Sequence, residues 1–315
     1  MAASVSECEI PADRVFTDLD ACLAGPRPDL AILCSATATH AEFVERLAPR
    51  VGAILVEKPF AASLAEADRM IAACATAGTR LAINWPLAWY PCHVTARRLI
   101  AEGVIGEVIE VHYYDGNPGP LSQRAQELGR PLTTAEKAST WWYKRASGGG
   151  SMLDYLGYGV TLGTWFMDGR APLEVATMTA GDPALEVDEH SVTIARYATG
   201  LSRFETRWGT FTAPWVTQPQ PKCGFVVVGR DGTISSYDYE PHVTVQTRDK
   251  PSAHKLPVDE LPPGRRNPVE YILDCIARDR PPEGPLDPAI CRTGQRIIET
   301  ALISAAERRV VELVA

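Results

Sequence analysis

Two textures of hydrophobic and polar positions divide this chain. Up to about residue 103, short unbroken apolar runs alternate with segments of helical period. The runs lie within residues 29–34, 53–57 and 80–84 and lack polar alternation. Strands of that kind are covered on both faces and belong to parallel sheets with helices above and below. Between and after them the pattern predicts helices over residues 18–23, 41–47, 63–77 and 93–102. Ser63 with Glu66 three residues on forms a capping-box pattern, and Gly78 and Gly103 are stop signals. Strand, small polar turn, helix and strand make a βαβ unit. From Gly106 the texture changes. Residues 106–114 alternate polar and apolar, as do short segments at 173–179, 191–197, 202–208, 225–228, 233–239 and 243–247. Such strands in succession, with turns such as Arg230-Asp231-Gly232, indicate an open, mainly antiparallel sheet. Two late helices are expected over 267–278 and 289–309. The opening residues 1–16 are polar and irregular, with Pro11 as a breaker. An α/β domain over 1–104 followed by an α+β domain over 105–315 is the expected organisation.

Composition agrees and narrows the function classes. A chain of 315 residues, 45% hydrophobic, holds two domains of ordinary size. Its 31 basic and 39 acidic residues leave a net charge of −8. That argues against nonspecific nucleic-acid binding and gives no attraction to anionic membranes. The longest apolar runs fall short of the ~20 residues of a membrane span, and no secretory signal pattern opens the chain. Eight cysteines (Cys8, Cys22, Cys34, Cys74, Cys92, Cys223, Cys275 and Cys291) form no Cys-x-x-Cys pair and no disulfide framework. A reducing cytoplasm is expected. The six histidines show no ligand spacing, so no metal is expected.

Two stretches carry candidate chemistry. In the first, Ala53-Ile54-Leu55-Val56-Glu57-Lys58-Pro59-Phe60, an apolar strand stops at a charged pair and a proline. Ligands of open parallel sheets bind beyond the carboxyl ends of the strands, where Lys58 sits. Pro59 disfavours helix at Lys58, so the ammonium can project and hydrogen-bond a substrate hydroxyl. A solvated Glu57–Lys58 pair is the plain alternative. The second stretch is Gly148-Gly149-Gly150-Ser151-Met152-Leu153-Asp154-Tyr155-Leu156-Gly157-Tyr158. Three glycines let backbone pass close to a ligand, and on a helix from Ser151 the side chains of Asp154 and Tyr158 share a face. A carboxylate beside a phenol suits a sugar. Alternatively, Asp154 serves the helix dipole and Tyr158 is core.

Both stretches resemble one family. Glu57-Lys58-Pro59 after an apolar strand is similar to the central motif of the glucose-fructose oxidoreductase / inositol dehydrogenase (Gfo/Idh/MocA) family, and the resemblance covers nearly the whole chain. Residues 35–40 resemble its Ala-Thr-Pro-x-x-x-His turn, with Ala36 in place of proline. The glycine-rich stretch resembles its Gly-Gly-Gly-x-x-x-Asp-x-Gly-x-His segment, with Leu156 for a glycine and Tyr158 for the histidine, as in the family's tyrosine-containing branch. The resemblance implies a Rossmann-type doubly wound parallel sheet and then a substrate-binding, oligomerising sheet domain. It implies hydride transfer between NAD or NADP and a secondary alcohol of a sugar, cyclitol or related polyol. Lys58, Asp154 and Tyr158 would be catalytic, with Lys58 lowering the phenol's pKa and Asp154 orienting a neighbouring hydroxyl. Ser35, Thr37, His40, Glu57, Pro59, Asn84 and Trp142 would line the cofactor. A homodimer or homotetramer through the second-domain sheet is implied. Trp85 stands where the family usually has a basic residue, which leaves substrate polarity open. The family's opening strand, Gly-x-Gly-x-x-Gly turn and helix have no counterpart before Asp18, so the Rossmann-type sheet is expected to be incomplete. Three readings follow: a start at an internal methionine of a longer protein, a shortened homologue that no longer binds dinucleotide, or a sheet completed by another chain. A non-catalytic scaffold or sugar-sensing regulator is therefore the rival function.

Overall fold

A computed structural model describes residues 10–315; Cys8 and the first part of the irregular opening stretch lie outside the described residues. Strands β1 (Leu30–Leu33), β2 (Ala53–Glu57) and β3 (Arg80–Asn84) form a parallel sheet in that order. Helices α1 (Leu19–Leu23), α2 (His40–Leu47) and α3 (Leu64–Ala77) belong to this part, and α4 (Pro91–Ala101) follows β3. Local signals explain their ends. Asp18 caps α1 by accepting from the Ala21 amide at 2.9 Å. Ser63 accepts from the Glu66 amide, and Gly78 closes α3 in the left-handed conformation. The Glu66 carboxylate reaches the Ala62 amide, one residue before the cap.

The unbroken apolar run of β2 is covered on both sides. Ile54 and Val56 join one core with Val44, Leu47, Ala67 and Met70 of α2 and α3. Ala53 and Leu55 join a second core with Tyr271, Ile272, Cys275 and Leu286. Three of these four belong to the late helix α8 (Pro268–Ala277), so the chain's end returns to cover the first sheet.

The second sheet has nine strands: β4 (Val108–Asn117), β5 (Glu174–Ala180), β6 (His190–Arg196), β7 (Leu201–Trp208), β8 (Gly224–Gly229), β9 (Gly232–Tyr237), β10 (His242–Thr247), β11 (His254–Pro257) and β12 (Val311–Glu312). Their order is β11-β10-β9-β8-β4-β7-β6-β5-β12, antiparallel except between β4 and β7. β11 and β12 are too short to show a period. Between β4 and β5 run α5 (Ser122–Leu128), α6 (Thr134–Ala138) and α7 (Gly157–Phe166). Helix α7 lies on one face of the sheet; a Cβ at Gly163 would fall 2.9 Å from Phe204 of β7. The long α9 (Pro288–Glu307) packs on α7, β5 and α3, which fastens the two sheets together. The other sheet face leaves Met178 81% exposed, with Ile194, Leu201 and Val226 also open. No helix among the described residues is long and apolar enough to cross a membrane.

Candidate active site

Lys58 follows β2 directly, at the carboxyl edge of the first sheet. Its partner is Asp154, 96 residues on: Nζ donates to Oδ1 at 2.9 Å. The plain Glu57–Lys58 surface pair is therefore not formed; Glu57 instead accepts from the Asn84 amide at 2.5 Å, across adjoining strand ends. The second Asp154 oxygen accepts from the Trp208 indole at 3.1 Å. Asp154 thus spends both oxygens on the protein. Each oxygen keeps a second lone pair, so holding Lys58 and orienting a substrate hydroxyl are compatible roles.

The predicted helix from Ser151 opens with a π-helical turn over Met152–Leu156 before α7 begins. Tyr155 lies three residues before Tyr158, and the two rings stack with centroids 5.3 Å apart. Lys58 Nζ lies over both rings, 5.1 Å from the Tyr155 centroid and 5.4 Å from that of Tyr158. The Tyr155 hydroxyl interacts with Asn117 at 2.5 Å, whereas the Tyr158 hydroxyl has no hydrogen-bond partner among the described residues. An ammonium donates three hydrogen bonds, and Lys58 spends one of them here. What remains is a cation with unspent donors 5.4 Å from the centre of a phenol ring whose hydroxyl has no partner among the described residues.

Electrostatics sets their protonation. Burial opposes charge on Lys58, but Asp154 and then Tyr158 outweigh it and its pKa stands above the usual lysine value. Burial pushes the Tyr158 phenol up, and the pull of Lys58 downward does not cancel it. The expectation that Lys58 lowers the phenol's pKa holds for the sign of that one interaction and fails for the sum, because desolvation is larger. Asp115, buried nearby on β4, is raised well above the usual carboxylate range by burial and by Asp238.

The expected cofactor-side residues divide into two groups. Ser35, Glu57 and Trp142 are partly exposed. Thr37, His40, Pro59 and Asn84 are buried braces. His40 spans from the Ser35 carbonyl (3.1 Å) to the Phe60 carbonyl (3.2 Å), tying the turn after β1 to the segment after β2. Thr37 packs on Gly148, where an added Cβ would lie 3.2 Å away. Asn84 is held between Glu57 and the Trp89 indole. The three glycines also differ from expectation. A Cβ at Gly149 would lie 2.2 Å from the Trp142 carbonyl, so the close approach there is to the chain's own backbone. Trp85 is buried against the edge of the Tyr158 ring, with centroids 5.1 Å apart, and works as packing.

Sequence reasoning missed Tyr155, Asn117, Asp115 and Trp208. The spacing of three between Tyr155 and Tyr158 was a signal for the first, and the other three arrive from distant strands. It also missed a buried cluster in which Cys92, His93 and Asp238 bring potential ligand atoms within 4.8 Å of one another. Both Asp238 oxygens are engaged there, one with His93 Nε2 (2.7 Å) and one accepting from the Tyr113 hydroxyl (2.9 Å).

Comparisons with known proteins follow this geometry. Residues 2–85 match a family model described as oxidoreductase family, NAD-binding Rossmann fold. Residues 93–235 match one described as the GFO/IDH/MocA C-terminal domain. The chain is similar to D-apiose dehydrogenase of Paraburkholderia graminis, 32% identical over 94 residues, or 30% of this chain and 25% of that protein. The matched stretches span 31% or less of the curated relatives' own length. Among solved structures, an aldose-aldose oxidoreductase from Caulobacter crescentus complexed with glycerol superposes with a TM-score of 0.78 at 21% identity, over 99% of this chain and 88% of that one. A levoglucosan dehydrogenase complexed with NADH and levoglucosan gives 0.77 at 15% identity, over 100% and 87%. At these identities the likeness is one of fold.

Proposed function

The chain belongs to the GFO/IDH/MocA oxidoreductase family, and on that premise we propose that it transfers a hydride between a nicotinamide cofactor, NAD or NADP, and a secondary alcohol of a sugar, cyclitol or related polyol. The observation that carries this is a Lys58 ammonium with unspent donors, at the carboxyl edge of the parallel sheet, lying 5.4 Å from the centre of the Tyr158 ring, whose hydroxyl has no partner among the described residues. Sugar-dehydrogenase relatives and a neighbour holding NADH support the reading.

The donor set fits the nicotinamide-ribose half of such a cofactor. Glu57 offers a carboxylate and Ser35 a hydroxyl for ribose oxygens, and Trp142 offers a partly exposed ring. When bound, the nicotinamide supplies the two-electron hydride exchange. Everything else falls to the chain's own side chains. Lys58 and Tyr158 both hold protons near neutrality, so both donate to a carbonyl oxygen and stabilise the negative charge that grows there during reduction. Tyr158 then passes its proton to that oxygen. Oxidation runs in reverse and needs the phenolate, which burial disfavours and Lys58 favours. Because the Tyr158 pKa is raised, the base form grows with pH throughout the neutral and mildly alkaline range.

Alcohol oxidation should therefore accelerate from pH 7 to pH 10, and reduction should not. Tyr158→Phe should lower kcat for oxidation by about 10²–10⁴-fold and abolish the pH rise. Steady-state rates on a sugar panel check this, with NADH and NADPH binding followed by fluorescence. Full turnover in the variant would remove Tyr158 from the chemistry. Binding of neither cofactor would favour the rival reading of a non-catalytic scaffold or regulator. The same family reading proposes a cytoplasmic homodimer or homotetramer joined through the second sheet.

A further inference from the structure

Tyr239 carries a backbone angle that a bulky side chain rarely adopts. It sits in the turn between β9 and β10 with φ +71°. Such strain persists where the surroundings over-determine it, and it concentrates at functional sites. The surroundings here are the two residues' neighbours on both sides. Asp238 is clamped by His93 Nε2 at 2.7 Å and the Tyr113 hydroxyl at 2.9 Å. Its amide donates to the Cys223 carbonyl at 3.0 Å, and its carbonyl accepts from the Gln218 amide side chain at 2.7 Å. Locked in this way, the turn delivers the Tyr239 hydroxyl to within 2.9 Å of the Tyr90 hydroxyl. Tyr90 comes from the other sheet, in the segment between β3 and α4, so the pair joins the two halves of the molecule. The rings lie 5.0 Å apart, and Tyr239 stays 48% exposed.

The sheet register shows which edge the pair occupies. Tyr237 lies opposite Gly224, which lies opposite Tyr114 of β4. Three residues along β4, Asn117 contacts the hydroxyl of Tyr155, which stacks on Tyr158. The pair and the Lys58–Tyr158 spot therefore share one end of the nine-stranded sheet. The groups also feel each other electrically: after burial, Tyr239 contributes to the raised pKa of Tyr158, and Tyr158 to that of Tyr90.

We propose that the Tyr90–Tyr239 hydroxyl pair is a specificity-determining element that binds a second hydroxyl of the polyol, away from the carbon that reacts. The inference rests on the oxidoreductase reading above. Two phenols sharing one hydrogen bond keep one O–H donor and free acceptor lone pairs. A sugar hydroxyl, itself donor and acceptor, matches both. The pair is uncharged, so it offers hydrogen bonds without an ionic partner.

The test is a panel of D-glucose and its 2-, 3-, 4- and 6-deoxy analogues, run with the full chain and with Tyr239→Phe and Tyr90→Phe. Wild type should lose kcat/KM by about tenfold or more at one deoxy position, because a site built around a hydroxyl rejects its absence. Tyr239→Phe should raise KM for glucose about 3- to 10-fold with kcat within threefold, the size of one hydrogen bond. It should also erase the penalty at that one deoxy position and leave the others intact. Unchanged KM in both variants, or a loss confined to kcat, would overturn the proposal. If wild type turns over no member of a wider panel of sugars, cyclitols and polyols with either cofactor, the oxidoreductase reading fails separately. The pair is then judged by tryptophan-fluorescence titration of the same sugars: weaker binding in the Phe variants sustains it, and equal or absent binding in wild type and variants overturns it.

Discussion

At the scale of residues, the active-site candidates do their work through unequal partners. Asp154 contacts Lys58 on one side and Trp208 on the other. One route by which it influences a substrate is the ammonium it holds. Trp208 is one step further out, and its indole N–H fixes the second oxygen of a buried carboxylate. Hydrogen bonds to charged groups contribute about 1.5–3 kcal/mol. Trp208→Phe should lower kcat about tenfold while cofactor affinity stays within twofold, and the fold should survive because an aromatic ring still fills most of the site. A matching loss of kcat and of thermal stability would mark Trp208 as core alone. Lys58, Asp154 and Tyr158 were legible because each lies in a short motif whose neighbours restrict the backbone. Trp208 was not, because its only signal is the partner it meets, 54 residues away in sequence.

At the scale of elements, the turn between the glycines and α7 is the informative one. Asp154 lies on the π turn, and Tyr155 near its end stacks on Tyr158, three residues on. Gly157, just after that turn, leaves room for the Trp85 indole. A Cβ there would lie 2.2 Å from the far edge of the ring. Because Trp85 is buried and packs edge-on against Tyr158, it cannot withdraw without moving the phenol. Gly157→Ala should destabilise the protein by about 1–3 kcal/mol, the usual cost of overpacking. Urea unfolding reads that cost directly, and a variant of unchanged stability would show that the ring yields. Apolar period predicted α2, α3 and the three parallel strands closely. It said nothing of the π turn, because one extra residue per turn leaves the spacing of four between Asp154 and Tyr158 nearly unaltered.

At the scale of the whole molecule, the two sheets are joined by returning chain. Helix α8 closes the second face of β2, and α9 touches both halves. The outer face of the nine-stranded sheet stays open, with Met178, Ile194, Leu201 and Val226 exposed. A face with that many apolar side chains invites a partner, and a second copy is the proposed one. Sedimentation at micromolar concentration should report a dimer or tetramer, and Met178→Glu with Ile194→Glu should dissociate it; a monomeric wild type would sink the proposal. The sequence alone determined that β2 is covered on both faces, where the parallel sheet gives way to alternating strands, and which lysine, aspartate and tyrosine are the candidates for the chemistry. Those properties follow from period and local backbone restriction, which act over a few residues. Tertiary structure alone decided that α8 supplies the cover, that Asp154 pairs with Lys58, and that burial raises the Tyr158 pKa. Each of these depends on which distant surface closes over a group. The period of a segment shows that a face must be buried, but it does not name the segment that buries it.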